Sequence, residues 1–218
     1  MQNTQRSYLP AAGRDWALPL YDPLVKLLGA DVARRALLEQ AALGSAHRIL
    51  DVGCGTGTLV TQIKRLYPLA EVVGLDPDPK ALERARKKAT RGRLSIAFDQ
   101  GFSDELPYPD ASFDRVFSAF MFHHLREQDK EKTLREIRRV LEPGGSLHLL
   151  DFKGAEPREG GWLAGRIHST HQLRDNSAGR ILTLMNNAGL VDSRQVSDGA
   201  LLFGHLRTAY YQSASPIV

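Results

Sequence analysis

A short apolar segment followed at once by three alternating glycines constrains the fold of this chain more than any other feature. Residues 48–52 are predicted to form a strand, Gly53, Gly55 and Gly57 come directly after it, and a helical pattern then continues to Tyr67. Glycines between a strand and a helix allow a positive φ and let a ligand approach the backbone closely. Ligands of open α/β sheets bind beyond the carboxyl ends of the strands. The segment therefore predicts an α/β sheet with a ligand loop after its first strand.

The chain repeats this alternation of strand and helix. Four further strands are predicted, at residues 71–75, 94–98, 113–119 and 146–152. Alternation of this kind indicates a parallel sheet with helices on both faces. Two final strands, at residues 190–196 and 201–211, are separated only by residues 197–200, so they must pair in antiparallel fashion. The expected fold is α/β, a doubly wound, Rossmann-like sheet that is mostly parallel and ends in a hairpin.

Composition limits the possible functions. The 218 residues suffice for one globular unit, and a net charge of +4 permits nucleic-acid binding without requiring it. Cys54 is the only cysteine, which excludes an internal disulfide framework. Because residues 1–9 also lack the apolar core of a secretion signal, we expect a cytoplasmic protein. No apolar run approaches the ~20 residues of a membrane span, so we expect none.

An acidic residue after the second predicted strand strengthens the prediction of a ligand loop. Asp76 follows Gly57 by about 20 residues, where a carboxylate can accept hydrogen bonds from both ribose hydroxyls of an adenosine ligand. A tight turn without a ligand, with Asp76 as a turn residue before Pro77, is the alternative. The spacing G-x-G-x-G differs from the dinucleotide fingerprint because Thr58 stands where its last glycine would be, and no Walker lysine follows. Asp78 is better explained as a helix N-cap.

Five segments, in the same order along the chain, resemble the motifs of class I S-adenosylmethionine-dependent methyltransferases. They are Ile49-Leu50-Asp51-Val52-Gly53-Cys54-Gly55-Thr56-Gly57, Val73-Gly74-Leu75-Asp76, Leu106-Pro107-Tyr108-Pro109-Asp110-Ala111-Ser112-Phe113-Asp114, Phe122-His123-His124-Leu125, and Arg139-Val140-Leu141-Glu142-Pro143-Gly144-Gly145. Together they cover about residues 45–155. Within the family, the chain is similar to the ubiquinone/menaquinone-biosynthesis type of small-molecule methyltransferase.

The resemblance implies a seven-stranded sheet with an antiparallel last strand, S-adenosylmethionine as cofactor and S-adenosylhomocysteine as product. It implies that the backbone of Gly53 and Gly55 passes the methionine and ribose parts of the cofactor. Asp51 would order the loop or help to hold the amino group, and Asp76 would bind the ribose hydroxyls. Further cofactor contacts are expected at Cys54, Gly57, Pro77, Gly101, Phe102, Ser118 and Tyr21.

One residue departs from the family pattern. Relatives often carry an aspartate after the glycine that corresponds to Gly101, and its carboxylate accepts a hydrogen bond from the adenine amino group. Phe102 stands there in this chain and cannot accept such a bond. It could pack against the adenine ring, or Asp104 or Gln100 could be the acceptor.

Two adjacent histidines are the candidates for catalysis. His123 and His124 follow the fourth predicted strand, beside the expected cofactor, and histidine is the natural base near neutral pH. Adjacent side chains cannot face a pocket equally, so at most one is expected to act; capping or packing roles are the alternative. Substrate contacts are expected from Trp162, His168 and His171, and no metal is expected.

The favoured interpretation is a methyltransferase that acts on a small organic acceptor, with residues 1–45 as a helical lid on a domain of residues 46–218. A methyltransferase of RNA or protein is the first alternative, suggested by seven basic residues within 80–93, although a solvated helix face explains them more simply. A non-catalytic module that binds the cofactor is the second. The acceptor atom and the oligomeric state are left open.

Overall fold

The computed structural model describes residues 29–44, 47–154, 176–201 and 206–217. Seven strands form one sheet: β1 (Arg48–Val52), β2 (Glu71–Asp76), β3 (Ala97–Gln100), β4 (Phe113–Ala119), β5 (Leu141–Phe152), β6 (Val191–Leu201) and β7 (Leu206–Ala214). The α-helices are α1 (Ala30–Ala41), α2 (Thr58–Leu66), α3 (Pro79–Gly92), α4 (Glu127–Val140) and α5 (Ala178–Asn187). None of these helices is long and apolar enough to cross a bilayer.

The sheet has the strand order β3-β2-β1-β4-β5-β7-β6. Strands β1 to β5 pair in parallel, and β7 lies antiparallel to both of its neighbours, β5 and β6. The predicted doubly wound sheet with an antiparallel last strand is therefore confirmed. Since β1, β2, β4 and β5 are parallel, their carboxyl ends lie at one edge of the sheet.

Each face of the sheet carries a buried apolar layer because adjacent strand residues point to opposite sides. In β1, Ile49 packs with residues of α1 and α2, whereas Leu50 packs with residues of α4 and α5. Both side chains are fully buried. Helix α1 shares the first layer through Leu37 and Ala41, so it is packed onto the sheet rather than set apart from it. The proposed boundary between residues 45 and 46 stays a prediction.

The position of the terminal hairpin turn is wrong in the sequence prediction. Residues 197–200 were expected to connect the last two strands, but they belong to β6 and pair with residues 207–210 of β7. Pairing continues to Leu201 opposite Leu206, so the connection comprises residues 202–205. The polar residues of this segment are tolerated in a strand because β6 is the edge of the sheet and one side of it faces water.

Gly199, one of the residues of the predicted connection, lies inside β6, where there is no room for a side chain. A Cβ at this position would lie 2.7 Å from Oγ1 of Thr208, its partner across the strand pair. The starts of two further strands differ by several residues: β3 begins at Ala97 rather than at residue 94, and β5 begins at Leu141, directly after α4, rather than at residue 146. The local sequence pattern misplaced these starts because the residues of the neighbouring strand decide where a strand begins.

Candidate functional site

The three glycines of the loop all adopt a positive φ, but for different reasons. Gly53, Gly55 and Gly57 have φ of +77°, +53° and +76°. A Cβ on Gly53 would overlap with Met121, and one on Gly57 would lie 2.8 Å from Cβ of Ala85 in α3. A Cβ on Gly55 would meet no atom of the described residues within 4 Å. The loop is thus packed against the protein at both ends and borders open space at its centre.

Cys54 is the buried packing residue of this loop. Its Sγ would lie 2.8 Å from a Cβ on Gly74 of β2, which explains why the second-strand motif has a glycine. Burial, together with the nearby carboxylates of Asp51 and Asp76, raises the pKa of the Cys54 thiol well above its ordinary value. A neutral, buried thiol is not a nucleophile at neutral pH.

Asp76 joins the end of β2 to the glycine loop. Its Oδ2 accepts a hydrogen bond from the Gly55 N–H at 2.8 Å, and its Oδ1 accepts one from the Asp78 N–H at 2.9 Å. Burial raises the pKa of Asp76 to about 6, although these two bonds oppose the shift. Two other residues with predicted cofactor contacts, Gly101 and Pro77, lie beside Asp76. The Gly101 N–H donates to the Asp76 carbonyl, and the Pro77 carbonyl accepts from Gln100 Nε2.

Asp51 is the residue before the end of β1 and precedes the glycine loop. It is almost fully buried, and its Oδ1 has no hydrogen-bond partner among the described residues. Burial raises the pKa of Asp51 to about 7; the Arg34 guanidinium of α1 opposes the shift, and Asp76 adds to it. A buried acceptor atom without a donor costs free energy, so this oxygen is available to a donor from a ligand.

Phe102 and Ser118 are the other predicted cofactor residues in the described part of the chain. Phe102 is half-buried on the segment after Gly101, and its carbonyl accepts from the Glu105 N–H at 3.3 Å. Ser118 lies in β4 opposite Leu149 of β5 and is fully buried. Their contacts with a cofactor stay predictions.

His123 forms a close pair with Asp151, the residue before the end of β5. Its ring Nδ1 lies 2.6 Å from Asp151 Oδ1, and its backbone N–H donates to Asp151 Oδ2 at 2.6 Å. The Phe152 N–H also donates to Oδ1, at 2.7 Å. Burial by itself would raise the pKa of Asp151, but His123 and these hydrogen bonds outweigh burial and lower it below its ordinary value. Asp151 is therefore a charged carboxylate at neutral pH.

His124 has a different environment. Its ring stacks obliquely on that of His123 with centroids 4.0 Å apart. Burial first, and then the neighbouring His123, lower the pKa of His124 to about 4. His124 is consequently neutral and weakly basic at pH 7, so the two adjacent histidines are not equivalent.

Two residues of this region were missed by the sequence prediction. Asp151 ends an apolar segment at the same sheet edge as Asp51 and Asp76, and that position is the signal that could have identified it. Arg34 could not have been found because it reaches Asp51 only through the packing of α1 onto the sheet.

Four predicted residues cannot be placed. Tyr21, Trp162, His168 and His171 lie outside the described residues. Within the described ranges, no group of three or more His, Cys, Asp or Glu side chains could hold a metal ion.

Comparisons with known proteins agree with this arrangement. A family model described as a methyltransferase domain matches residues 49–145. Demethylmenaquinone methyltransferase of Deinococcus radiodurans is 44% identical over 137 residues, which are 62% of this chain and 56% of that protein. The ubiquinone/menaquinone biosynthesis C-methyltransferase UbiE of Syntrophotalea carbinolica is 36% identical over 164 residues, 73% of this chain and 67% of the relative. The chain thus spans little more than half the length of the Deinococcus relative.

A solved structure extends the likeness to the fold. Phospholethanolamine N-methyltransferase 2 of Haemonchus contortus, in complex with phosphomonomethylethanolamine and S-adenosylhomocysteine, superposes with a TM-score of 0.76 at 14% identity. The alignment covers 94% of this chain and 58% of the other. The methyltransferase-domain model matches residues 49–145, which include the glycine loop, Asp76 and His123. Because the Syntrophotalea relative is also 36% identical, with 67% of its length covered, the chain belongs to the class I S-adenosylmethionine-dependent methyltransferase family.

Proposed function

We propose that this protein is an S-adenosylmethionine-dependent methyltransferase that methylates a small organic acceptor and releases S-adenosylhomocysteine. The observation that carries the proposal is the hydrogen bond between Asp76 and the glycine loop. The carboxylate accepts from the Gly55 N–H at 2.8 Å, and Gly55 borders open space. This hydrogen bond links the carboxyl ends of β1 and β2, and ligands of such sheets bind beyond the carboxyl ends of the strands.

The residues at this edge fit the cofactor. Open space in front of Gly55 admits a ligand to the backbone, and Asp76 supplies a carboxylate for the two ribose hydroxyls. The buried Asp51 Oδ1 has no donor among the described residues, and an ammonium group would supply one. When bound, the cofactor supplies a methyl group activated by a positively charged sulfur. The protein then has to hold an acceptor in line with that group and exclude water.

A quinone-type aromatic compound in its reduced, hydroxylated form is the acceptor that we propose. The names of two relatives support this class, since the Deinococcus name refers to demethylmenaquinone and the Syntrophotalea name to ubiquinone and menaquinone biosynthesis. An aromatic hydroxyl compound also suits the rings of His123, His124 and Phe152 at the adjoining edge.

Calorimetry with S-adenosylmethionine and S-adenosylhomocysteine tests the cofactor. We expect both to bind the wild-type protein and the Asp76→Asn variant to bind about 10–100-fold more weakly, because a hydrogen bond to a charged group contributes ~1.5–3 kcal/mol. Asp110→Asn is the matched control: Asp110 is exposed, pairs with Arg139 and precedes β4, at the opposite edge of the sheet. Failure of the folded wild-type protein to bind either compound would overturn the proposal.

Mass spectrometry tests the acceptor. Anaerobic 1,4-dihydroxynaphthalene, incubated with the protein and S-adenosylmethionine, should gain one methyl group while S-adenosylhomocysteine accumulates in equal amount. A protein that binds the cofactor but methylates an amine and none of the aromatic hydroxyl compounds tested would retain the methyltransferase proposal and refute the acceptor class.

A further inference from the structure

We propose that the His123 imidazole is the general base that removes a hydroxyl proton from the acceptor, and that Asp151 holds the imidazole in the tautomer that this requires. This inference rests on the proposed methyltransferase function and adds to it a division of roles between two adjacent histidines. His123 would be the catalytic residue and Asp151 a positioning residue.

The hydrogen bonds around Asp151 determine which ring nitrogen of His123 is available. Oδ2 accepts the His123 backbone N–H, and Oδ1 accepts the Phe152 N–H and lies 2.6 Å from Nδ1 of the ring. A carboxylate is an acceptor only, so the proton of the neutral imidazole resides on Nδ1. Nε2 then carries the lone pair, and no hydrogen bond from the described residues occupies it.

The position of the ring suits a base at the cofactor site. His123 follows β4 and Asp151 lies next to the end of β5, so both are at the sheet edge that holds the glycine loop. Met121, two residues before His123, packs directly against Gly53. The His123 side chain is 14% exposed, and the Phe152 ring contacts it edge-on at 4.9 Å. The imidazole is thus shielded from most solvent but open on part of its surface.

The proton balance defines the class of acceptor. A hydroxyl O–H bond of the acceptor breaks, its proton moves to Nε2, and its electron pair remains on the acceptor. The imidazolium that forms is stabilised by the Asp151 charge and later returns the proton to solvent. In an aromatic hydroxyl compound, that electron pair raises the nucleophilicity of the oxygen and of the ring carbon ortho to it. If the carbon gains the methyl group, its ring proton is lost to solvent and the oxygen is reprotonated, which restores the hydroxyl. The dyad therefore suits phenols and hydroquinones, whereas a neutral amine needs no such base.

His124 lacks the features that a base requires. No hydrogen bond within the described residues orients its ring, and burial keeps its pKa at about 4. Among the residues that the structure describes, Asp151 and His124 are the titratable groups that contact the His123 ring. We infer that His124 forms a wall beside the base, stacked at 4.0 Å.

The tautomer of His123 can be measured without any acceptor. In protein labelled with ¹⁵N-histidine, near pH 8 and with S-adenosylhomocysteine present, the His123 signals should show a protonated Nδ1 and a bare Nε2. Asp151→Asn should shift the population towards the other tautomer, because the amide that replaces the carboxylate can donate to Nδ1. A wild-type His123 that carries its proton on Nε2 would overturn the inference, whatever the enzyme methylates.

Kinetics with 1,4-dihydroxynaphthalene supply the second test. We expect His123→Gln to lower kcat about 100-fold or more, the usual range for loss of a general base, with little change in S-adenosylhomocysteine affinity. Asp151→Asn should lower kcat similarly, and His124→Gln should keep the wild-type tautomer of His123. Full activity of His123→Gln would refute the base while leaving the proposed function intact. Failure of the folded wild-type protein to bind the cofactor would instead refute the proposed function.

Discussion

At the scale of single residues, identical glycines have different tasks. Gly57 is confined by Ala85 of the neighbouring helix, whereas Gly55 borders open space although both have a positive φ. The first makes the packing of α2 against α3 possible, and the second keeps the loop accessible. Sequence alone does not separate these roles, because the two residues lie in the same motif.

Substitution of each of these glycines by alanine should separate stability from binding. Gly57→Ala must move backbone or Cβ of α3, so we expect a loss of about 2–4 kcal/mol in the free energy of unfolding. Gly55→Ala should lose only about 1–2 kcal/mol through its positive φ but should weaken S-adenosylhomocysteine binding at least tenfold. Urea unfolding and calorimetry measure the two effects. Equal losses of stability would contradict the difference in packing.

Asp51 should make stability depend on pH. Its pKa is about 7 in the folded protein and near 3.8 in the unfolded chain. Between these values the folded state binds more protons, so the free energy of unfolding falls as the pH rises from about 4 to about 7. Asp76, with a pKa of about 6, acts in the same direction.

The variant Asp51→Asn should remove most of this dependence. We expect it to be more stable than the wild type by roughly 1–3 kcal/mol at pH 8, and the gain should shrink towards pH 4. Urea unfolding at several pH values, with Asp110→Asn as the exposed control, measures the change. A gain of equal size at pH 5 and pH 8 would show that Asp51 does not titrate in this range.

At the scale of elements, the ends of helices follow local chemistry. The Asp78 side chain accepts a hydrogen bond from the Lys80 N–H at 2.9 Å and Pro79 follows it, as predicted for the start of α3. The basic residues of α3 are partly used within the fold: Lys88 donates to Thr58, and Arg86 donates to the Phe98 carbonyl. These contacts favour the interpretation of a structural helix face over an RNA-binding one.

Removal of the cap should weaken α3. We expect Asp78→Ala to lower the free energy of unfolding by about 0.5–2 kcal/mol, and Asp78→Ser to recover most of it because serine also caps. Urea unfolding of the two variants provides the measurement. A larger loss shared by both variants would show that the Asp78 carboxylate stabilises this region by more than its capping hydrogen bond.

At the scale of the whole molecule, the site is assembled from strands that are distant in sequence. The ends of β1, β2, β4 and β5 meet at one edge, and they bring together Asp51, Asp76, His123 and Asp151. A ligand that binds there should stabilise the entire fold, because binding to the native state alone shifts the unfolding equilibrium.

Thermal unfolding should detect this coupling. At a concentration 100-fold above its Kd, S-adenosylhomocysteine should add ~2.7 kcal/mol of stability, equivalent to a rise in Tm of roughly 5–10 °C for a chain of this size. Asp76→Asn should show a smaller rise at the same concentration, whereas Asp110→Asn should match the wild type. Equal shifts in all three proteins would place the bound ligand elsewhere.

Much of the fold could be predicted because its signals are local. The bounds of β1 and β4 agree with the predicted strands, and the glycine loop and the Asp78 cap lie where their residue types require. Each of these features depends on neighbours within a few residues. The family motifs added the number of strands, the antiparallel last strand and the cofactor, since they extend over most of the sheet.

Other features depend on contacts between residues far apart in the chain. The partnership of His123 with Asp151 joins residues 28 positions apart, and only the pairing of β4 with β5 brings them within 2.6 Å. The raised pKa of Asp51 comes from burial under packed helices, and the placement of Gly199 comes from its partner Thr208. The sequence by itself thus determined the elements, the glycine loop and the identity of the chemical groups. Tertiary structure decided which of those groups meet and how strongly they are buried, because strand pairing and desolvation are long-range effects.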